Sequence, residues 1–163
     1  MGLTDKPKIT IGRAEKVNFP ELGFSHVPTR IDTGAGTAAI WAESVKEAPG
    51  GGLDVVFFGP SSPFYTGNVQ HIDEFGQTEV RSSNGQTEVR YTIRAKVVIG
   101  GKKILATFTL ADRSTQLYPV LIGRNILRGK FIVDVKLGTT LAAEKAHNEA
   151  LKAKYGQGPK EQS

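Results

Sequence analysis

Asp32 closes the run Arg30-Ile31-Asp32 and is followed at once by Thr33, Gly34 and Ala35. That order sets a carboxylate at a strand-to-loop corner, where an acid able to transfer protons meets a ligand that Gly34 allows to come close. Asp-Thr-Gly is equally a common hairpin or Asx-turn corner, and the local residues leave both readings open. Further along, Tyr118-Pro119-Val120-Leu121-Ile122 is an apolar strand that runs into Gly123-Arg124-Asn125-Ile126-Leu127. His71 stands near Asp73 and Glu74, which reads either as a weak metal or acid–base cluster or as an exposed polar loop. The other histidines are His26 and His147, cysteine is absent and no His-Glu-x-x-His occurs, so a zinc site would need scattered ligands to converge. No Gly-x-x-x-x-Gly-Lys-Ser/Thr loop occurs either, and Pro49-Gly50-Gly51-Gly52 precedes no helix. No metal site and no cofactor are therefore assigned.

The elements that must position these residues are short. Nineteen glycines and eight prolines break the chain into brief apolar runs, and helical periodicity is absent until the C-terminal segment. Strands are predicted over Lys8–Ala14, Val17–Phe19, His26–Asp32, Thr37–Val45, Leu53–Phe58, Val69–Ile72, Gly76–Arg81, Gln86–Ile99, Ile104–Leu110 and Val120–Ile122. So many short strands fit an all-β barrel or sandwich better than a layered α/β fold. Gly100-Gly101-Lys102-Lys103 predicts a tight hairpin, because its glycines accept positive φ. The hexapeptide Gly-Gln-Thr-Glu-Val-Arg occurs at Gly76–Arg81 and again at Gly85–Arg90, flanking an Asn84-Gly85 turn in a second, projecting hairpin. A local duplication and a coincidence both account for that repeat. One helical turn is predicted over Arg124–Arg128, ending at Gly129 before the β-branched run Phe131–Val135. A mostly solvated helix is predicted from Thr140 to Lys154, followed by a disordered polar tail.

The Asp-Thr-Gly-Ala corner, a hairpin-rich middle and then Leu121-Ile122-Gly123-Arg124-Asn125 together resemble the retroviral-type aspartic peptidases. Phe19-Pro20-Glu21-Leu22-Gly23, Glu88–Ile93, Phe108–Ser114 and Phe131-Ile132-Val133-Asp134 extend the likeness to a bacterial retropepsin-like family. That family carries the label ATP-dependent zinc protease, and its members often accompany ATP-grasp peptide ligases that modify ribosomal proteins. The resemblance covers roughly residues 9 to 138. It implies an all-β, retropepsin-like closed barrel, with one short helix after the Gly-Arg motif and a C-terminal helix. The expected division is a barrel over 1–138 and a helix with a polar tail over 139–163. The zinc and ATP of the label find no support in the residues.

Carried over position by position, the resemblance makes Asp32 the catalytic aspartate. Thr33 becomes the hydroxyl that braces the matching loop of a second subunit, and Gly34 the close-approach residue beside the scissile peptide. Ala35, Gly36 and Thr37 would bind substrate, as would Ser82, Ser83, Asn84 and Gly85 at the tip of the Gly76–Arg90 hairpin, the counterpart of a flap. Arg124 and Asn125 would tie the helix to the active-site loop and the dimer interface. Phe131–Val135 corresponds to the terminal strand that intertwines subunits. Aspartic peptidases need two carboxylates sharing one proton, so a chain with one Asp-Thr-Gly implies a homodimer with one Asp32 from each subunit. Ala35 supplies no hydroxyl to stabilise the ionised carboxylate, which implies activity nearer neutral pH. Gly36 replaces the acid that viral relatives pair with the arginine, and Asp112 or Asp134 is the expected substitute partner of Arg124.

Composition limits the rivals. The 163 residues suit one domain, 39% hydrophobic content is too high for a disordered chain, and no apolar run approaches a membrane span. Without cysteine there is no disulfide scaffold, and the N-terminus lacks a signal peptide, which points to the cytoplasm. The net charge of +5 is spread along the sequence, with the densest groups at Lys102-Lys103 and Arg124/Arg128/Lys130, which argues against nucleic acid as partner. The expected partners are a second copy of the chain, an extended peptide or protein tail as substrate, and a functional link to an ATP-grasp ligase. The competing reading is a catalytically silent dimeric module that binds such a tail on the same fold.

Overall fold

The structure, a computed structural model, describes residues 6–81, 84–138 and 141–155. Among them the chain forms eleven strands and two helices. In order these are β1 (Ile9–Ile11), β2 (Ala14–Phe19), β3 (Phe24–Ile31), β4 (Ala38–Glu47), β5 (Leu53–Phe57) and β6 (Gln70–Ile72). There follow β7 (Gly76–Arg81), β8 (Thr87–Ile99), β9 (Lys102–Ala111), β10 (Val120–Ile122), α1 (Arg124–Leu127), β11 (Phe131–Val133) and α2 (Ala142–Tyr155).

Six strands close on themselves in the order β10-β3-β2-β8-β9-β4, because β10 pairs with β3 on one side and β4 on the other. Closure leaves no open edge in this part of the sheet. Alternation explains which faces turn inward: in β8, Ile93, Ala95, Val97 and Ile99 are buried while Arg94 and Lys96 are exposed. Phe19, Phe108, Ile40, Ile122 and Ile126 are fully buried, and the Phe19 and Phe108 rings meet edge to face at 5.4 Å. The β8–β9 hairpin is the tight one expected, with Ile99 opposite Lys102 and positive φ at Gly100 and Gly101. β5 and β6 extend the sheet from β4, and β7 pairs with the first half of β8 as a projecting hairpin.

One predicted strand divides. Lys8–Ala14 becomes two pieces: β1 pairs in parallel with β11 in a separate small sheet, and the barrel resumes at Ala14. The chain crosses itself there, since the Arg13 amide donates to the Leu137 carbonyl at 2.9 Å and the Asp134 amide to the Ile11 carbonyl at 2.9 Å. Phe131–Val135 likewise shortens to β11, because Asp134 takes up the Lys136 amide in a turn. Met1–Asp5, Ser82-Ser83, Thr139-Thr140 and the tail Gly156–Ser163 lie outside the described residues. No described helix is long and apolar enough to cross a membrane.

Candidate active site

β3 buries Ile31 and ends there, so Asp32 emerges at the strand's end half-buried. Its amide donates to the Ile122 carbonyl at 2.9 Å, and its carbonyl accepts from the Ala35 amide at 3.2 Å. Its Oδ1 accepts from the Gly34 amide at 2.9 Å, which closes an Asx-turn. The corner is thus both the local turn the tripeptide allows and the mount of a carboxylate. Thr33, Gly34, Gly36 and Thr37 are exposed, and Ala35 is half-buried.

α1 supplies the other half of the mount. The Arg124 amide donates to the Ala35 carbonyl at 2.8 Å and the Asn125 amide to the Gly36 carbonyl at 3.1 Å. The Asn125 side chain accepts from the Ala38 amide and donates to the Thr107 carbonyl, each at 2.9 Å. The Arg124 guanidinium donates to the Thr33 carbonyl at 3.1 Å. Neither acid expected beside Arg124 pairs with it: Asp112 accepts from the Ser114 amide and Asp134 from the Lys136 amide, each engaged in its own turn. At Gly36 a β-carbon would stand 3.6 Å from the Arg124 guanidinium, an ordinary van der Waals contact, so a small side chain would fit there.

The surroundings are basic. Arg113 is partly buried and donates through Nε to the Tyr118 carbonyl at 2.9 Å. Burial and the Arg90 guanidinium, with Arg30 adding to them, push its pKa below the ordinary arginine value, while the Asp32 carboxylate opposes the shift. Arg113 therefore stands within electrostatic reach of Arg90, Arg30 and Asp32. A cavity of about 300 Å³ lies beside the corner, lined by Arg13, Arg30, Asp32, Thr33, Tyr118 and Glu144 among others. On the other side of Thr33 a shallower hollow of about 500 Å³ is lined by Arg124, Leu127, Phe131, Ile132 and Val133. Ile132 in this hollow and Val135 in the cavity beside Asp32 are 53 and 71% exposed.

Sequence reading missed the arginine cluster, as well as Tyr118 and Glu144. Spacing offered one signal, since Arg30 stands two residues before Asp32 and strand alternation sends both side chains the same way. Arg90 and Arg113 arrive from β8 and from the loop after β9, contacts that no local pattern announces. In the hairpin, Asn84 Oδ1 accepts from the Gln86 amide and Gly85 has φ +84°, while Ser82 and Ser83 are not described. The base of that hairpin reaches Arg113, through Arg90.

The His71 cluster is real but does not converge. Nδ1 meets Asp54 at 2.9 Å and Nε2 meets Asp73 at 3.3 Å, so the two acids address opposite edges of the ring. Among the described residues no group of three or more acids and histidines is placed to hold a metal ion.

A family model described as the retropepsin-like aspartic endopeptidase RimB matches residues 10–144. A protein of Shewanella pealeana named "Probable alpha-L-glutamate ligase" is 29% identical over 136 residues, covering 78% of this chain and 28% of the relative. Proteins of the same name from Shewanella halifaxensis and Parasynechococcus marenigrum are each 30% identical, with the same coverage. The chain thus spans under a third of the length of these relatives. A crystal structure of a Legionella pneumophila protein of unknown function (DUF785) superposes with a TM-score of 0.52 at 20% identity, covering 82% of this chain and 98% of that one, which shows a shared fold. By its matched residues and its barrel, this chain belongs to the RimB-like family of retropepsin-like aspartic endopeptidases.

Proposed function

We propose that the protein is a homodimeric aspartic endopeptidase that cuts acidic peptide segments, with Asp32 of each subunit forming one catalytic pair. The observation that carries this reading is a single Asp-Thr-Gly corner, rigidly mounted, whose Thr33 and Gly34 face outward and leave the carboxylate open to a second copy. The exposed Ile132, with the hollow it shares with Leu127, Phe131 and Val133, supplies an apolar surface for that copy. Two carboxylates brought together share a proton. The ionised one takes a proton from water as its oxygen attacks the peptide carbonyl carbon, and the protonated one gives its proton to the carbonyl oxygen. Collapse of the resulting diol breaks the carbon–nitrogen bond, and the amine leaves with a proton. Residues 1–138 act as the catalytic unit, with 139–163 appended.

The arginines argue for the substrate class. Arg13 and Arg30 in the cavity of Asp32, with Arg113 in electrostatic reach, create a positive field that favours peptides rich in carboxylates. The relatives named probable alpha-L-glutamate ligase support the same choice, since glutamate carries the carboxylate such a cleft would take.

The test is incubation of wild-type protein and Asp32→Asn with acid-rich and neutral peptides from acid to neutral pH, with and without chelator, products being identified by mass spectrometry. The expected result is cleavage beside acidic residues by the wild type alone, unaffected by chelator. Chelator-sensitive cleavage that persists in Asp32→Asn would put the active site elsewhere, and no cleavage by either would leave a module that binds tails without cutting them.

A further inference from the structure

Tyr118 carries a polar group that hydrolysis as described does not use. Its side chain is 3% exposed, and a buried phenol hydroxyl requires a partner. That partner is the carboxylate of Glu144, to which the hydroxyl donates. Glu144 stands in the first turn of α2, and every residue from Lys145 to Tyr155 is exposed. The helix therefore meets the barrel at its beginning and runs off into solvent.

The same glutamate lines the cavity that holds Asp32, Arg13 and Arg30. A carboxylate placed there has a buried donor on one side and guanidinium groups in the same cavity, the setting in which charge-assisted hydrogen bonds are strongest. Burial and the Glu144 hydrogen bond raise the Tyr118 pKa above its ordinary value, so the hydroxyl keeps its proton to donate. Were Glu144 to leave, the hydroxyl oxygen would keep the Leu141 amide as its donor, but its proton would lose its acceptor unless another carboxylate took its place.

We propose that Tyr118 is the specificity-determining donor of a carboxylate subsite beside Asp32, and that Glu144 holds this subsite until an acidic side chain of the peptide displaces it. The inference rests on the reading of the protein as one that takes acidic peptides. A tethered competitor of this kind weakens apparent affinity by the fraction of time it occupies the site. It also sets a threshold, because a neutral peptide has nothing with which to replace it.

The test uses the full chain with Asp32→Asn, so that nothing is cut, and measures binding of hexaglutamate and hexaglutamine by calorimetry at one ionic strength. Adding Glu144→Gln should tighten hexaglutamate about five-fold and leave hexaglutamine unchanged. Adding Tyr118→Phe on top should remove most of that gain, the ring itself being kept. If hexaglutamate is preferred but binds equally with Glu144 and with its Gln replacement, the displacement inference is overturned while the acidic substrate class stands. If no variant prefers hexaglutamate, the substrate class and the subsite fall together.

Discussion

The Asp32 corner and the β7–β8 hairpin are held in opposite ways. At the corner, backbone bonds with Ile122, Arg124 and Asn125 and side-chain bonds with Asn125 and Arg124 converge on Asp32, Thr33, Ala35, Gly36 and their neighbour Ala38. The hairpin is held chiefly by its own ladder, and Glu79, Arg81, Thr87, Glu88 and Val89 are exposed. The proposed catalytic carboxylate is thus over-determined, whereas the hairpin proposed to close over substrate is left with few ties.

Substitutions can break or sharpen that contrast. The largest effect is expected of Gly123→Ala, whose new β-carbon would stand 2.8 Å from the Ala35 carbonyl oxygen and 2.9 Å from the Thr37 carbonyl carbon. Both neighbours are backbone, so the corner itself must shift, at a cost of about 2–3 kcal/mol in urea unfolding. Asn125→Ala removes two hydrogen bonds that link α1 to Ala38 and Thr107, a loss of about 1–2 kcal/mol. Asn125→Asp, which keeps an acceptor for the Ala38 amide, should recover part of the unfolding midpoint.

In the hairpin the same kind of change should stay local. Gly85 has φ +84°, and Gly85→Ala should loosen the turn by about 1 kcal/mol. Amide exchange at 78–81 and 87–90 should quicken while the unfolding midpoint holds, and a fall as large as that of Gly123→Ala would erase the contrast. The smallest effect lies at β5–β6, where His71 sits opposite Asp54 in the ladder. The Asp54 hydrogen bond raises the His71 pKa, so its stabilising contribution is full below the ordinary histidine value and is lost as pH rises through the raised one. A pH series of unfolding midpoints should show this slope, and His71→Gln should flatten it.

The barrel was legible because its signals are local. Alternation in β8 and β9, the paired glycines at 100–101 and the Gly-Arg-Asn run each specify an element from within a few residues. The division of β1 from β2 was not, because it follows from Leu137 and Asp134 crossing the chain from far along the sequence. The site divides in the same way. Asp32 and Arg124 could be read from their motifs, and the corner joins them through Thr33 and Ala35. The acids chosen for Arg124 were wrong, because a carboxylate with an amide two residues ahead satisfies itself first. The charge near Asp32 was hidden by distance along the chain: Arg13, Arg30 and Arg113 come from three separate stretches, so scatter in sequence concealed a grouping in space.

The doubled hexapeptide has a consequence of its own. In the ladder Thr78 faces Arg90, Glu79 faces Val89, Val80 faces Glu88 and Arg81 faces Thr87, so Thr-Glu-Val-Arg lies against a reversed copy of itself. The hairpin is a small palindrome with its own approximate two-fold axis. A strand that fits its neighbour in this way fits the same strand of another molecule equally well, so side-chain matching does not distinguish folding back from trading strands. What favours folding back is proximity, supplied by the five residues from 82 to 86 that join the copies. Shortening that connection would turn a folded-back hairpin into a swapped arm.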